Sequence, residues 1–143
     1  MPTLADAILL AAEQHRHQVD KAGQPYVVHP LRVMLALDTE PERLAGVLHD
    51  IIEDTDVTLD DLRVAGYPDE VLQALDCLTK REGETYEQFV ERAGANPIAR
   101  RVKLADLEDN LDLRRLSALS DRDVERLRRY LAAWQRLRAD LTP

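Results

Sequence analysis

The stretch PERLAGVLHDIIEDT, residues 41–55, decides how this chain folds. Pro41 suits a first helical turn, where its missing N–H is no loss, and an Ala-Gly-Val-Leu run then leads straight into His49, Asp50, Glu53 and Asp54. A helix this apolar belongs inside a bundle. Charged side chains, however, are costly to bury unless they are paired or bound to metal. On one continuous helix Glu53 lies one turn beyond His49 and Asp54 one turn beyond Asp50, so two stacked polar pairs emerge from an apolar segment. His49 and Asp50 have the ligand chemistry of a divalent metal. Glu53 and Asp54 are placed to handle a water beside it and the water's protons.

Helix signals continue on both sides of this stretch. Thr3 with Asp6 forms a capping pair ahead of Leu4, Ala7, Ile8, Ala11 and Ala12, which recur at helical spacing. Residues 18–25 contain Asp20, Gly23 and Pro25 and read as a loop. Pro30 opens a helix through LRVMLAL, Thr58 with Asp61 opens the next, and Pro68 another. Thr85 with Gln88 is a capping box, Pro97 starts a helix through VKLADLEDNLDL, and Ser120 caps a long charged helix with a stripe of Leu127, Leu131, Trp134, Leu137 and Leu141. No alternating strand pattern and no internal repeat occurs. The expectation is an all-α fold, a single helical bundle of about eight helices spanning residues 1–143 as one domain.

Composition agrees and excludes several function classes. A chain of 143 residues, 45% hydrophobic and 32% charged with five Gly and seven Pro, is that of one packed domain. Its net charge of −8 repels the phosphate backbone that dominates nucleic-acid affinity, so nucleic acid is not the expected partner. The Arg-rich run DRDVERLRRYLAAWQRLR interleaves acids at helical spacing and reads as a solvated face. A lone cysteine, Cys77, cannot form an internal disulfide and reads as a small packing residue. The amino terminus lacks a basic start and carries Asp6 in its apolar part, so it reads as an amphipathic helix rather than a signal peptide. No membrane partner and a cytoplasmic location are expected.

A metal needs more ligands than His49 and Asp50. His15 ends the first helix on the face of Ile8, Ala11 and Ala12, and Asp106 follows apolar Val102, Leu104 and Ala105. Two imidazoles and two carboxylates make a mixed site that suits Mn²⁺, Fe²⁺ or Co²⁺ better than a structural zinc, although zinc is also compatible. His29, just before Pro30, reads as a supporting group rather than a ligand, and His17 as a surface residue. Of nineteen Lys and Arg only Lys21, Lys80 and Lys103 are lysines, which marks them as candidate phosphate-facing charges.

The residues H15-x-H-Q18-x-D-K21-x-G23-x-P25-Y26-x-x-H29-P30, then L48-H49-D50-x-x-E53-D54-T55, then T79-K80, then V-K103-L-A-D106-x-x-x-N110-L, resemble the hydrolase domain of the RelA/SpoT alarmone enzymes, within the HD phosphohydrolase superfamily. The resemblance runs over roughly residues 4 to 115. It implies a stand-alone helical hydrolase with one divalent metal, Mn²⁺, held by His15, His49, Asp50 and Asp106. It further implies Glu53 and Asp54 beside the water as the catalytic acids, either of them the base, and Asn110 as a contact to the ribose; Lys21, Lys80 and Lys103 all fall inside these motifs and are the further candidate substrate contacts. The implied reaction is removal of the 3′-pyrophosphate from guanosine tetra- or pentaphosphate. A phosphatase acting on NADPH or a nucleoside monophosphate, and a non-catalytic nucleotide sensor, remain as alternatives. His17 stands where the family has Gly, Leu107 stands where it has a basic residue, and no Lys or Arg precedes Arg16. These departures predict a base held less selectively than guanine is elsewhere in the family.

Overall fold

In the computed structural model, which describes residues 1–139, helix follows helix. They are α1 (Leu4–Gln14), α2 (Val28–Leu35), α3 (Glu40–Leu48), α4 (Ile51–Asp54), α5 (Leu59–Ala65), α6 (Asp69–Cys77), α7 (Tyr86–Gly94), α8 (Pro97–Asn110) and α9 (Asp121–Ala139), with a 3₁₀ turn at Leu113–Arg115. The all-α expectation holds. The main difference falls at His49 and Asp50, where the sequence suggests an unbroken helix and the backbone instead pauses between α3 and α4. Its physical cause is local: the Gly46 carbonyl accepts from the His49 amide at 3.4 Å and from the His49 ring Nδ1 at 2.6 Å, which tightens the turn just before Asp50.

Side-chain caps set where the helices begin. Thr3, Thr39, Thr58 and Thr85 each accept from the amide three residues on, and Asp6, Glu42, Asp61 and Gln88 return the bond. Ser120 and Asp123 make the same exchange at α9. Losing such a cap typically costs about 1 kcal/mol, so five of them weigh appreciably in a domain of this size.

Helix α3 occupies the centre, packed against α1, α2, α6 and α8. Its Leu44, Ala45, Val47 and Leu48 are buried in the main core. Gly46 lets α2 come close: a Cβ there would meet Leu37 Cδ1 at 2.6 Å and the Met34 Cα at 3.5 Å. A second, smaller core joins Val90 of α7, Leu104 and Leu107 of α8, and Ala133 and Leu137 of α9. In α9 the buried face uses Ala133 and Leu137 with Tyr130 and Trp134 packed beside them, whereas Leu131 of the expected stripe is 47% exposed. Tyr130, Ala133 and Leu137 recur at i, i+3 and i+7, and Leu131 falls one residue off that row. Leu141 lies outside the described residues.

Helix α8 therefore has an apolar flank in each core, and Lys103, Asp106 and Asn110 recur along the face between them. Among the described residues no helix is long and apolar enough to cross a membrane.

Candidate active site

Three helices and one turn converge on Asp106. Helix α2 brings His29, the tightened turn after α3 brings His49 and Asp50, and α8 brings Lys103, Asp106 and Asn110. The turn at residues 18–25 is closed by an isolated bridge between Val19 and Pro25. Asp20 binds the amides of Ala22 and Gln24 at 2.9 Å, and Gly23 supplies the positive φ the turn requires. This turn delivers Tyr26, whose hydroxyl donates to Asp50 Oδ2.

Among the described residues two buried ring nitrogens have no hydrogen-bond partner. His49 donates Nδ1–H to a carbonyl, so its lone pair sits on Nε2, which is buried, 3.1 Å from Asp50 Oδ2 and 3.4 Å from Asp106 Oδ1, with hydrogen-bond geometry to neither. In His15, Nδ1 lies 2.8 Å from Gln18 Oε1, and the Gln18 amide is oriented by its own bond to the Asp54 carbonyl at 3.0 Å. The His15 proton is therefore on Nδ1, and its Nε2 is buried without a partner. His29 places Nδ1 2.6 Å from Asp109 Oδ2 and Nε2 2.9 Å from Asp106 Oδ1.

One ligand atom each from His29, His49 and Asp50 falls within 4.8 Å of the others, and His15 is not a member of that group. Asp106 Oδ1 touches two of its three members, at the distances just given to His29 and His49. The surplus is acidic. Burial alone pushes Asp106 up, but Lys103 and then His29 and His49 hold its carboxyl well below the usual range. Asp50 is likewise held down against burial by His49. Burial works against a charged His49 ring, yet Asp50 and Asp106 raise it well above its ordinary value. The acids that face these rings thus favour the form that carries a proton on the nitrogen they face. Converging imidazole and carboxylate donors with buried unpartnered nitrogen fit a divalent cation, which would replace those protons.

A cavity of about 380 Å³ opens on this cluster. Tyr26, His29, Asp50 and Asp106 form its floor, and Lys21, Lys103, Arg115 and Arg126 are among its cationic walls. Lys103 Nζ is fixed 3.0 Å from Asp106 Oδ2 and 4.8 Å from the Phe89 ring centre, and Asp106 beside it raises its pKa despite burial.

No family model matches the chain. A mouse guanosine-3′,5′-bis(diphosphate) 3′-pyrophosphohydrolase, MESH1, is 38% identical in an alignment of 125 positions that covers 78% of this chain and 70% of the mouse protein. The chain belongs to the guanosine-3′,5′-bis(diphosphate) 3′-pyrophosphohydrolase family. A bacterial member of that name, from Aquifex aeolicus, is 32% identical over 71% of this chain. A Streptomyces coelicolor protein named GTP pyrophosphokinase is 36% identical over 73% of it. The aligned segments span only 16% and 14% of those two long relatives. In three dimensions the chain superposes with a TM-score of 0.80 and 25% identity on a solved structure described as a metazoan ortholog of SpoT that hydrolyses ppGpp, covering 96% of this chain and 88% of that one.

The family's helical frame thus brings together His49, Asp50, Lys103, Asp106 and Asn110, whose Nδ2 donates to Asp106 Oδ1 at 3.0 Å. Lys21 reaches the cavity mouth, 3.4 Å from Asp123. Lys80 is exposed and off the cavity, and what it offers is its backbone amide, which donates to Glu53. Glu53 and Asp54 are exposed on α4, beside rather than within the cavity lining. Asp54 still senses the site: burial first, then the charges of Asp50 and Glu53, raise its pKa. Sequence reasoning gives no role to Tyr26 or Asp109 and reads His29 as a supporting group rather than a ligand. The signal for His29 was the His-Pro at a helix start, and for Asp109 its place one turn beyond Asp106.

Proposed function

We propose that this chain is a metal-dependent phosphohydrolase that releases pyrophosphate from the 3′ position of guanosine tetra- or pentaphosphate. The observation that carries the reading is the convergence of His29, His49 and Asp50 within 4.8 Å, against Asp106, beside a cavity that Lys21, Lys103, Arg115 and Arg126 also line. Mn²⁺ suits this mixed donor set, with His29, His49, Asp50 and Asp106 as its holders and His15 at their edge. This ligand set replaces His15 by His29 relative to the sequence expectation. A bound Mn²⁺ would polarise the phosphoryl oxygen and ease ionisation of the attacking water.

The chain's own residues supply the rest. Lys103 presents a fixed cation where phosphoryl charge develops, and its position is already set by Asp106 and the Phe89 ring. Lys21, Arg115 and Arg126 are paired with Asp123, Asp112 and Asp109 around the cavity, so its wall does not add to the molecule's net charge of −8 and a polyanion can enter. Asn110, held by Asp106 in the cavity lining, is assigned to the ribose. Tyr26 fixes the Asp50 carboxylate by donating to one of its oxygens. Asp54, with its raised pKa, takes the proton from the attacking water, and Glu53 is anchored by the Lys80 amide next to it.

The test is release of pyrophosphate in the presence of Mn²⁺ from guanosine tetraphosphate, its adenine analogue, NADPH, GTP and nucleoside monophosphates. The expected result is intact pyrophosphate from the two 3′-diphosphates with weak preference between bases, and little from GTP. Turnover confined to NADPH or monophosphates would replace this reading by that of a general nucleotide phosphatase, and no turnover of any substrate by that of a sensor.

A further inference from the structure

Asp109 lies on α8 one turn past Asp106, and Arg32 lies on α2 one turn past His29, so the two helices face each other through two rungs of charge. On the inner rung His29 Nε2 meets Asp106. On the outer rung Asp109 gathers every contact: Oδ2 lies 2.6 Å from His29 Nδ1, and the Arg32 fork donates to Oδ1 at 2.7 Å and to Oδ2 at 3.0 Å. Arg115 adds a bond to the Asp109 carbonyl at 3.2 Å and a longer one to Oδ1 at 3.5 Å. The Asp109 side chain is only 11% exposed, so these partners hold it in one orientation.

We infer that Asp109 is the positioning residue for the metal, acting through His29. The Asp109 carboxylate accepts and cannot donate here, so His29 Nδ1 carries a proton, and Nε2, which meets Asp106 at 2.9 Å and lies 3.8 Å from Asp50, is the nitrogen that would give up its own proton to a metal held there. Arg32 and Arg115 serve Asp109 in turn. A two-point fork keeps the carboxylate from rotating, and with it the plane of the imidazole ring. An Arg32–Asp109 pair alone would be satisfied as an ordinary ion pair. It is the third contact, from an imidazole whose other nitrogen faces two acids, that gives the pair a task. The inference rests on the proposed metal set with His29 in it.

Mn²⁺ binding to the intact 143-residue chain, measured calorimetrically with the melting temperature of each metal-free variant recorded, separates the two. Asp109→Ala is expected to weaken Mn²⁺ binding toward the upper end of the ~10–100-fold range typical of lost support to a metal-bound histidine. Asp109→Asn, isosteric and still able to accept the Nδ1 proton, is expected toward the lower end. This graded rescue is not what a merely structural role gives, because that role changes melting and leaves affinity alone. Both variants binding within about twofold of wild type overturns the inference, provided His29→Ala binds weakly. Wild type that takes up no Mn²⁺, or His29→Ala that binds as wild type does, overturns the metal set and the inference together. If Asp109→Ala does not fold, Asp109→Asn decides alone.

Discussion

Two clusters of largely buried charge lie in this molecule, one around Arg92 and one around Asp106, and they are built on opposite principles. Arg92 donates to both oxygens of Glu84 at 2.8 and 2.9 Å and to the carbonyls of Asp76 and Thr79 at 2.7 Å each. Donors there are matched to acceptors, and the cluster pins the turn between α6 and α7. Around Asp106 acids and imidazoles crowd together, the His49 Nε2 has no hydrogen-bond partner, and His29 Nε2 faces carboxylates on two sides. Charge buried to hold a fold is closed on itself, whereas charge buried for chemistry is left asking for a further cation. Mutations in the first cluster should therefore cost stability, and mutations in the second should cost binding and turnover.

The largest effect is expected from Asp106→Asn. It removes the charge of an acid that meets His29 at 2.9 Å and His49 at 3.4 Å, so pyrophosphate release should fall by more than the ~10²-fold typical of losing a group that only supports a metal ligand. Metal content measured on the same sample should fall with it. Retained metal and turnover would put Asp106 in the same class as Glu84.

Next come the acids beside the cavity. Asp54→Asn is expected to keep the metal while turnover drops by at least ~10²-fold, the usual scale of lost acid–base assistance. Glu53→Gln is expected to act in the same direction, since the Lys80 N–H can donate to a glutamine Oε1 as well and only the charge is lost. Near-normal rates in both variants would move proton transfer elsewhere.

In the closed cluster Arg92→Ala strips the charge-assisted bonds to Glu84 and the two carbonyl contacts. A loss of about 2 kcal/mol in unfolding free energy is expected, with turnover per folded molecule unchanged, as read by denaturant titration beside the activity assay.

The smallest effect is a pH dependence. The Arg92 hydrogen bond, working against burial, holds Glu84 at about 2 rather than its ordinary 4.5. A carboxylate with a depressed pKa contributes stability that is fully present above the ordinary value and lost as pH falls through the depressed one. Wild type and Arg92→Ala should therefore differ in unfolding free energy at pH 6 and converge as pH drops from 4.5 toward 2. A constant difference across that window would show that Arg92 acts through its carbonyl contacts alone.

How much of this was legible beforehand depends on the range of the interaction. The helices were readable because a capping Thr and its partner three residues on are both local, as at Thr3, Thr58 and Thr85. His49, Asp50 and Asp106 were readable because an acid or imidazole in an apolar run is a local contradiction. The break at His49 was not, since it depends on a ring bonding back to Gly46. His29 and His15 were indistinguishable by rule, both being histidines at helix ends. Only the docking of α2 against α8, which sets His29 between Asp106 and Asp109, separates them. Lys80 shows the converse: its place in a motif was real, but the group in use is the backbone amide, which any residue there except proline would supply.

The distinction between the two histidines is the most direct test of the metal site. Mn²⁺ stoichiometry and affinity measured side by side for His29→Ala and His15→Ala should show close to one ion per chain retained by His15→Ala and binding largely lost in His29→Ala. The reverse pattern, with His15→Ala empty and His29→Ala loaded, would contradict the site described here.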